Sequence, residues 1–142
     1  VPRLHRPRYT EFLTAVDSAA HYEALLRHLL GGRPPDLILL GMGTDGHTAS
    51  LFPGTEALGV TDRQFVANYV EGMDVWRLTA TFGLIASARQ VVILAAGESK
   101  AEILAEVVEG PPGRYPIQTV LAMDTDVRLA IDKAAASRLT RS

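Results

Sequence analysis

The stretch Asp36-Leu-Ile-Leu-Leu-Gly41-Met-Gly43-Thr-Asp45-Gly46-His47-Thr-Ala-Ser50-Leu-Phe52-Pro53 decides how this chain is read. Leu37 to Leu40 is a short continuous apolar run between turn signals, Pro34-Pro35 before it and Gly41 after it. Such a run suits a strand covered on both faces, as in a parallel sheet. The glycines that follow make a turn and let a ligand approach the backbone. The turn presents a carboxylate, Asp45, and an imidazole, His47, two residues apart. In open α/β sheets ligands bind outside the carboxyl ends of strands, so this turn is the first candidate for a reactive site.

Working outward, Asp17 or Ser18 can cap a helix that runs to about Leu30. Tyr22, Leu25, Leu26 and Leu29 recur at the spacing of one helix face, and Gly31-Gly32 ends the helix. Beyond the central run, Thr48 to Phe52 is expected to form one helical turn, and residues 53–64 a surface loop. Gln64 to Val70 predicts a strand with Phe65, Ala67 and Tyr69 on one side, and Trp76 to Thr81 a second. Phe82 to Ala88 reads as a short helix. Val91 to Ala95 is the other continuous apolar strand. Ser99-Lys100-Ala101-Glu102 has capping-box spacing, and Ile103, Leu104, Val107 and Val108 give the next helix its apolar face until Gly110. Gly110 to Pro116 reads as a loop, Val127 to Ile131 as a last strand and Asp132 to Leu139 as a closing helix. Strands alternating with helices predict a layered α/β fold with a mostly parallel sheet and flanking helices.

Composition narrows the function classes. The 142 residues make about one domain. A net charge of −2 gives no electrostatic case for nucleic acid or an anionic membrane. The apolar runs are too short to span a bilayer. No cysteine is present, which excludes disulfides and thiol chemistry and fits a cytoplasmic protein. The chain begins Val1-Pro2-Arg3, and its first residues are basic and aromatic without a clear period. That suggests a piece of a longer chain, a processed product or a missing start.

Gly41-x-Gly43-x-x-Gly46 matches the dinucleotide-binding fingerprint literally. The context argues against it. Pro53 interrupts the helix that should follow the third glycine. The acidic residue expected about twenty positions on is Asp62, in a stretch with no strand pattern. The better reading makes Asp45 and His47 reactive groups. Histidine has an ordinary pKa near ~6.5, so its neutral form accepts a proton at physiological pH. Asp45 can orient it, hold a substrate hydroxyl, or serve only as a turn residue. Ser50 is a weaker nucleophile candidate because its setting is not Gly-x-Ser-x-Gly. His21 and His28 lie seven residues apart on the first helix and suggest no metal site. Asp124 and Asp126 read as loop residues, and Trp76 as packing.

The residues from Gly41 to Gly54 also resemble a known family. Gly-Met-Gly-x-Asp-Gly-His-x-Ala-Ser-Leu-Phe-Pro-Gly is similar to the signature of 6-phosphogluconolactonases, which share their fold with glucosamine-6-phosphate deaminase/isomerases. The Ala-Ser-Leu-Phe-Pro continuation favours the lactonase branch over the Ala-Phe-Asn-Glu-Pro of the deaminases. Arg77-Leu-Thr-Ala-Thr resembles the family's Arg-Ile-Thr-Leu-Thr strand. Ala88-Arg89-Gln90-Val91 with Gly97-Glu-Ser-Lys100-Ala resembles a strand, turn and helix of the family, and Asp132-Lys-Ala-Ala-Ala its closing helix. The resemblance covers about residues 17–140. Family members are usually much longer, with an N-terminal half that carries a glycine/serine phosphate loop and an Asp-Glu-Arg segment. The chain is therefore expected to correspond to the C-terminal half to two-thirds of the family's domain, residues 1–142 forming one unit.

The resemblance implies hydrolysis of 6-phospho-D-glucono-1,5-lactone in the pentose phosphate pathway, with no cofactor or metal. His47 and Asp45 are the expected catalytic pair. Gly43 and Gly46 are expected to line the substrate, and backbone N–H groups around Gly43–Gly46 to contact the developing oxyanion. Lys100, read as lying in the first turn of a helix capped by Ser99, and Arg77 are the expected phosphate ligands. The expected partner is a sugar-phosphate lactone, with no nucleic acid and no membrane, and with self-association or a missing N-terminal segment. A deaminase/isomerase of the same fold and a non-catalytic sugar-phosphate-binding module are the alternatives.

Overall fold

The computed structural model describes residues 3–140. Its centre is a three-stranded parallel sheet of β1 (Leu37–Gly41), β4 (Gln90–Ala95) and β5 (Asp126–Ile131), in the order β1-β4-β5. Leu37 lies opposite Gln90, and Gln90 opposite Asp126. Between β1 and β4 the chain forms an antiparallel hairpin of β2 (Phe65–Val70) and β3 (Val75–Ala80), which stands apart from the parallel sheet. The expected layered α/β fold with a parallel sheet is what the structure shows, with this hairpin as a separate two-stranded unit.

The helices divide between the two sheets. α1 (Ala15–Leu30) packs on the hairpin, where the rings of Tyr22 and Phe65 meet at 4.7 Å. α2 (Phe82–Ser87), α3 (Ala101–Glu109) and α4 (Pro116–Leu121) contribute Ile85, Leu104, Ile117 and Val120, all fully buried, to a core that also holds Leu40, Val91, Ile93 and Ala95 from the parallel sheet. Register places Ile38, Leu40, Val91, Ile93, Ala95, Val127, Leu129 and Ile131 on this one inner face.

The opposite face corrects the expectation of strands covered on both sides. Leu37, Leu39 and Leu94 point away from the core and are about half exposed or more, at 49%, 60% and 51%. A continuous apolar run reports that both faces are apolar; it does not report that both are covered.

Local corrections follow from side-chain hydrogen bonding. α1 starts earlier than expected, because Thr14 caps it: its Oγ1 accepts from the Asp17 N–H and donates to the Asp17 carboxylate. Ser18 is instead buried, and its hydroxyl donates to the Arg8 carbonyl. The buried face of α1 turns toward Ser18, Ala19 and Glu23, which leaves Leu29 exposed. Thr48 to Phe52 is not a helical turn; Ala49 takes a left-handed φ of 50° and Thr48 bridges Leu51. Ser99 does not cap α3, which is preceded by a 3-10 turn over Glu98–Lys100. Asp126 opens β5 rather than lying in a loop, and the closing helix shrinks to a 3-10 turn over Ala135–Arg138. The sequence reading contains no α4. Pro116 at its first turn and the Gln118 side chain, accepting from the Arg114 and Tyr115 N–H groups, start it.

Candidate active site

β1 delivers the chain to Gly41 at the carboxyl edge of the sheet, where the loop folds on itself. The Gly43 N–H donates to the His47 carbonyl at 2.9 Å, and the Gly46 N–H to the Gly43 carbonyl at 3.0 Å. The two glycines are required for different reasons. A Cβ on Gly43 would lie 2.1 Å from His47 Nδ1 and 2.7 Å from an Asp45 carboxylate oxygen. Gly46 has a φ of 76°, and a Cβ there would meet the Tyr115 ring at 2.5 Å. Their N–H groups are engaged within the loop, so neither faces a developing oxyanion. The Thr44 N–H has no hydrogen-bond partner among the described residues, whereas the Asp45 N–H turns to its own carboxylate.

Asp45 and His47 are brought together. Asp45 Oδ1 lies 2.5 Å from His47 Nδ1 and also accepts from the His47 backbone N–H at 3.1 Å. Burial alone would raise the Asp45 pKa; the hydrogen bonds from the His47 side chain and backbone outweigh it and hold the carboxyl below its ordinary value. An ionised Asp45 makes Nδ1 the protonated nitrogen and leaves the Nε2 lone pair as the acceptor of neutral His47. No described residue bonds Nε2, and the side chain keeps 29% exposure. The Phe52 ring stacks on the imidazole with centroids 4.2 Å apart.

The hairpin fixes the segment that follows His47. Thr48 Oγ1 donates to the Gly41 carbonyl at 2.8 Å, and the Ser50 N–H donates to Thr79 Oγ1 at 3.1 Å. Asn68, fully buried on β2, donates to the Ser50 carbonyl and to Thr55 Oγ1, each at 2.9 Å, and accepts from the Ala57 N–H. The sequence reading missed Asn68, Thr79 and Phe52. The available signals are polar Asn68 between apolar strand neighbours, and the place of Phe52 and Thr79 inside the stretches that carry the family resemblance. Among the described residues no hydrogen bond links the Ser50 hydroxyl to His47.

The expected phosphate ligands, Lys100 and Arg77, make no hydrogen bond or ion pair with His47. Because β1 and β4 are neighbours, the turn after β4 adjoins the reactive loop, and Thr44, Ser99 and Tyr115 line a cleft of about 330 Å³ between them. Gly97 in that turn has a φ of 90°, and its N–H donates to both Asp132 carboxylate oxygens at 3.1 Å. Lys100 is partly exposed, at the end of the 3-10 turn rather than inside α3. Arg77 is exposed, opposite Asn68 in the hairpin register. Neither has an ion-pair partner among the described residues. On the far side of the loop, Asp45, Phe52, Glu56, Glu71 and Trp76 line a groove of about 970 Å³. Trp76 meets Tyr69 ring to ring at 5.3 Å but is half exposed on this groove. His21 and His28 are exposed on α1, away from the loop, and Asp62 is an exposed loop residue.

Comparison with known proteins places this geometry in context. Residues 2–129 match the family model described as glucosamine-6-phosphate isomerases/6-phosphogluconolactonase. A 6-phosphogluconolactonase of Synechocystis is 51% identical over 87 residues, covering 60% of this chain and 35% of that protein. A glucosamine-6-phosphate deaminase of Streptomyces coelicolor is 35% identical over 138 residues, covering 89% of this chain and 53% of that protein. The structure of 6-phosphogluconolactonase from Trypanosoma cruzi superposes with a TM-score of 0.76 at 34% identity, over 89% of this chain and 53% of that one. The chain thus spans about half the length of such relatives or less.

Proposed function

This chain belongs to the glucosamine-6-phosphate isomerase/6-phosphogluconolactonase family, and we propose that it carries the reactive loop of a 6-phosphogluconolactonase. The observation that carries the reading is the Asp45–His47 pair at the end of β1, with Nδ1 held by the carboxylate and Nε2 open. A water placed at Nε2 gives up a proton to it as its oxygen bonds to the lactone carbonyl carbon. The tetrahedral intermediate then collapses, the bond from that carbon to the ring oxygen breaks, and imidazolium returns the proton to the ring oxygen. The product is 6-phosphogluconate. Within the Gly43–Gly46 stretch, the Thr44 N–H is the proposed oxyanion donor. Gly43 and Gly46 serve the site by leaving room for His47 and Tyr115.

In the same reading Lys100 and Arg77 hold the phosphate. We place the reaction in the cytoplasm, in the pentose phosphate pathway, in keeping with the cysteine-free sequence. Nucleic acid is no partner of this acidic chain, and no helix among the described residues is long and apolar enough to cross a membrane. The exposed leucines of the sheet favour self-association.

A dehydrogenase-coupled assay of lactone hydrolysis tests the reading, with the spontaneous opening rate subtracted. His47→Ala should lower the enzymatic rate by about 10²- to 10⁴-fold; an unchanged rate refutes His47 as the base. The similarity to a deaminase over 89% of the chain supports a second reading, deamination of glucosamine 6-phosphate. Ammonia release in place of lactone hydrolysis would select it.

A further inference from the structure

We propose that Phe52 is a positioning residue for His47, and that its ring holds the imidazole at the angle that turns Nε2 outward. The proposal rests on the hydrolase reading and deepens it. The imidazole is bounded on three sides. The Asp45 carboxylate holds Nδ1 at 2.5 Å. The Nδ1–Cε1 edge lies against the Gly43 backbone, since a Cβ there would fall 2.1 Å from Nδ1 and 2.2 Å from Cε1. The Phe52 ring covers one face, with an interplanar angle of 24° and a centroid separation of 4.2 Å. The hydrogen bond at Nδ1 fixes one point of the ring but leaves it free to rock about that contact. A flat neighbour over one face removes this freedom. The edge that remains uncovered carries Nε2.

Phe52 is itself held from the hairpin. Its carbonyl accepts from the Thr55 N–H at 3.3 Å and from Thr55 Oγ1 at 2.7 Å. That hydroxyl in turn accepts from buried Asn68 at 2.9 Å. Leu51, fully buried, anchors the residue before it. Phe52 is therefore placed from β2, through Thr55, by an element that does not carry the catalytic pair, as a device for orienting it requires.

The test uses the whole chain and reads His47 directly by NMR. In the wild type, nuclear Overhauser contacts between the Phe52 ring protons and the His47 ring protons are expected; their absence overturns the proposal. Phe52→Leu keeps apolar bulk without a flat ring. It should move the His47 ring resonances toward unstacked values and lower kcat about tenfold with KM little changed. Phe52→Tyr should restore both. Unaltered His47 resonances in Phe52→Leu overturn the proposal. If Phe52→Leu does not fold, the wild-type contacts and Phe52→Tyr still decide. If the resonances move as expected while His47→Ala leaves lactone turnover intact, the hydrolase reading fails and the stacking role stands.

Discussion

At the scale of single residues, Gly43 shows how a site can depend on an atom that is missing. Its φ is not in the left-handed region, so the backbone accepts alanine there. The new Cβ would nevertheless displace the His47 ring. Gly43→Ala should therefore fold with nearly wild-type stability yet lose about 10²-fold in lactone turnover; assay and thermal melting together check this. Glu23 is the converse case, a buried charge that serves structure. Its carboxylate accepts from Arg63 Nε at 2.6 Å and from the Gln64 and Phe65 N–H groups. Burial pushes its pKa up, and these hydrogen bonds outweigh burial and leave it below the ordinary carboxylate value. A lowered folded-state pKa gives stability that is present above the ordinary value and lost as pH falls through the folded one. Glu23→Gln should cost about 2 kcal/mol at neutral pH and flatten the loss of stability on acidification, read by urea unfolding across that range.

At the scale of elements, the hairpin and the reactive loop act as one unit. The sequence reading predicts both strands but gives them no connection to His47. The connection is made by Asn68 and Thr79, whose side chains satisfy the backbone of residues 50–57. Removing Asn68 leaves a buried carbonyl and N–H without partners. Asn68→Ala should cost about 2–3 kcal/mol and speed amide exchange across residues 48–57 more than in α3. Equal exchange in both regions would mean that the hairpin does not hold the loop. α4 illustrates the other limit of sequence reading. Six residues give too short a window for a helical period, so Ile117 and Val120, both fully buried, read as part of a loop.

At the scale of the whole molecule, the parallel sheet is clothed on one face and bare on the other. Leu37, Leu39 and Leu94 share that bare face, and exposed apolar surface of this kind can serve as an interaction site. Sedimentation velocity should show association that grows with protein concentration, and Leu39→Glu, on the open face, should shift the chain toward monomer. A wild-type chain that stays monomeric at all concentrations would remove self-association from the reading. The two clefts that flank the reactive loop are also a property of the whole. One is framed by the neighbouring β4 turn, the other by the hairpin end.

What the sequence by itself determined was local chemistry and period. Asp45 and His47 are two residues apart on a glycine turn, so their pairing follows from chain geometry, and the continuous apolar runs at 37–40 and 91–95 marked the parallel strands. Tertiary structure decided everything that needs distant residues to meet. It set which sheet face is covered, which N–H groups of the glycine loop are engaged, and that Asn68 and Thr79 hold the segment after His47. It also placed Ser99 beside Thr44, because β1 and β4 are neighbours. A pattern of residue types states what a side chain can bond or bury; only the packed chain settles which partner reaches it.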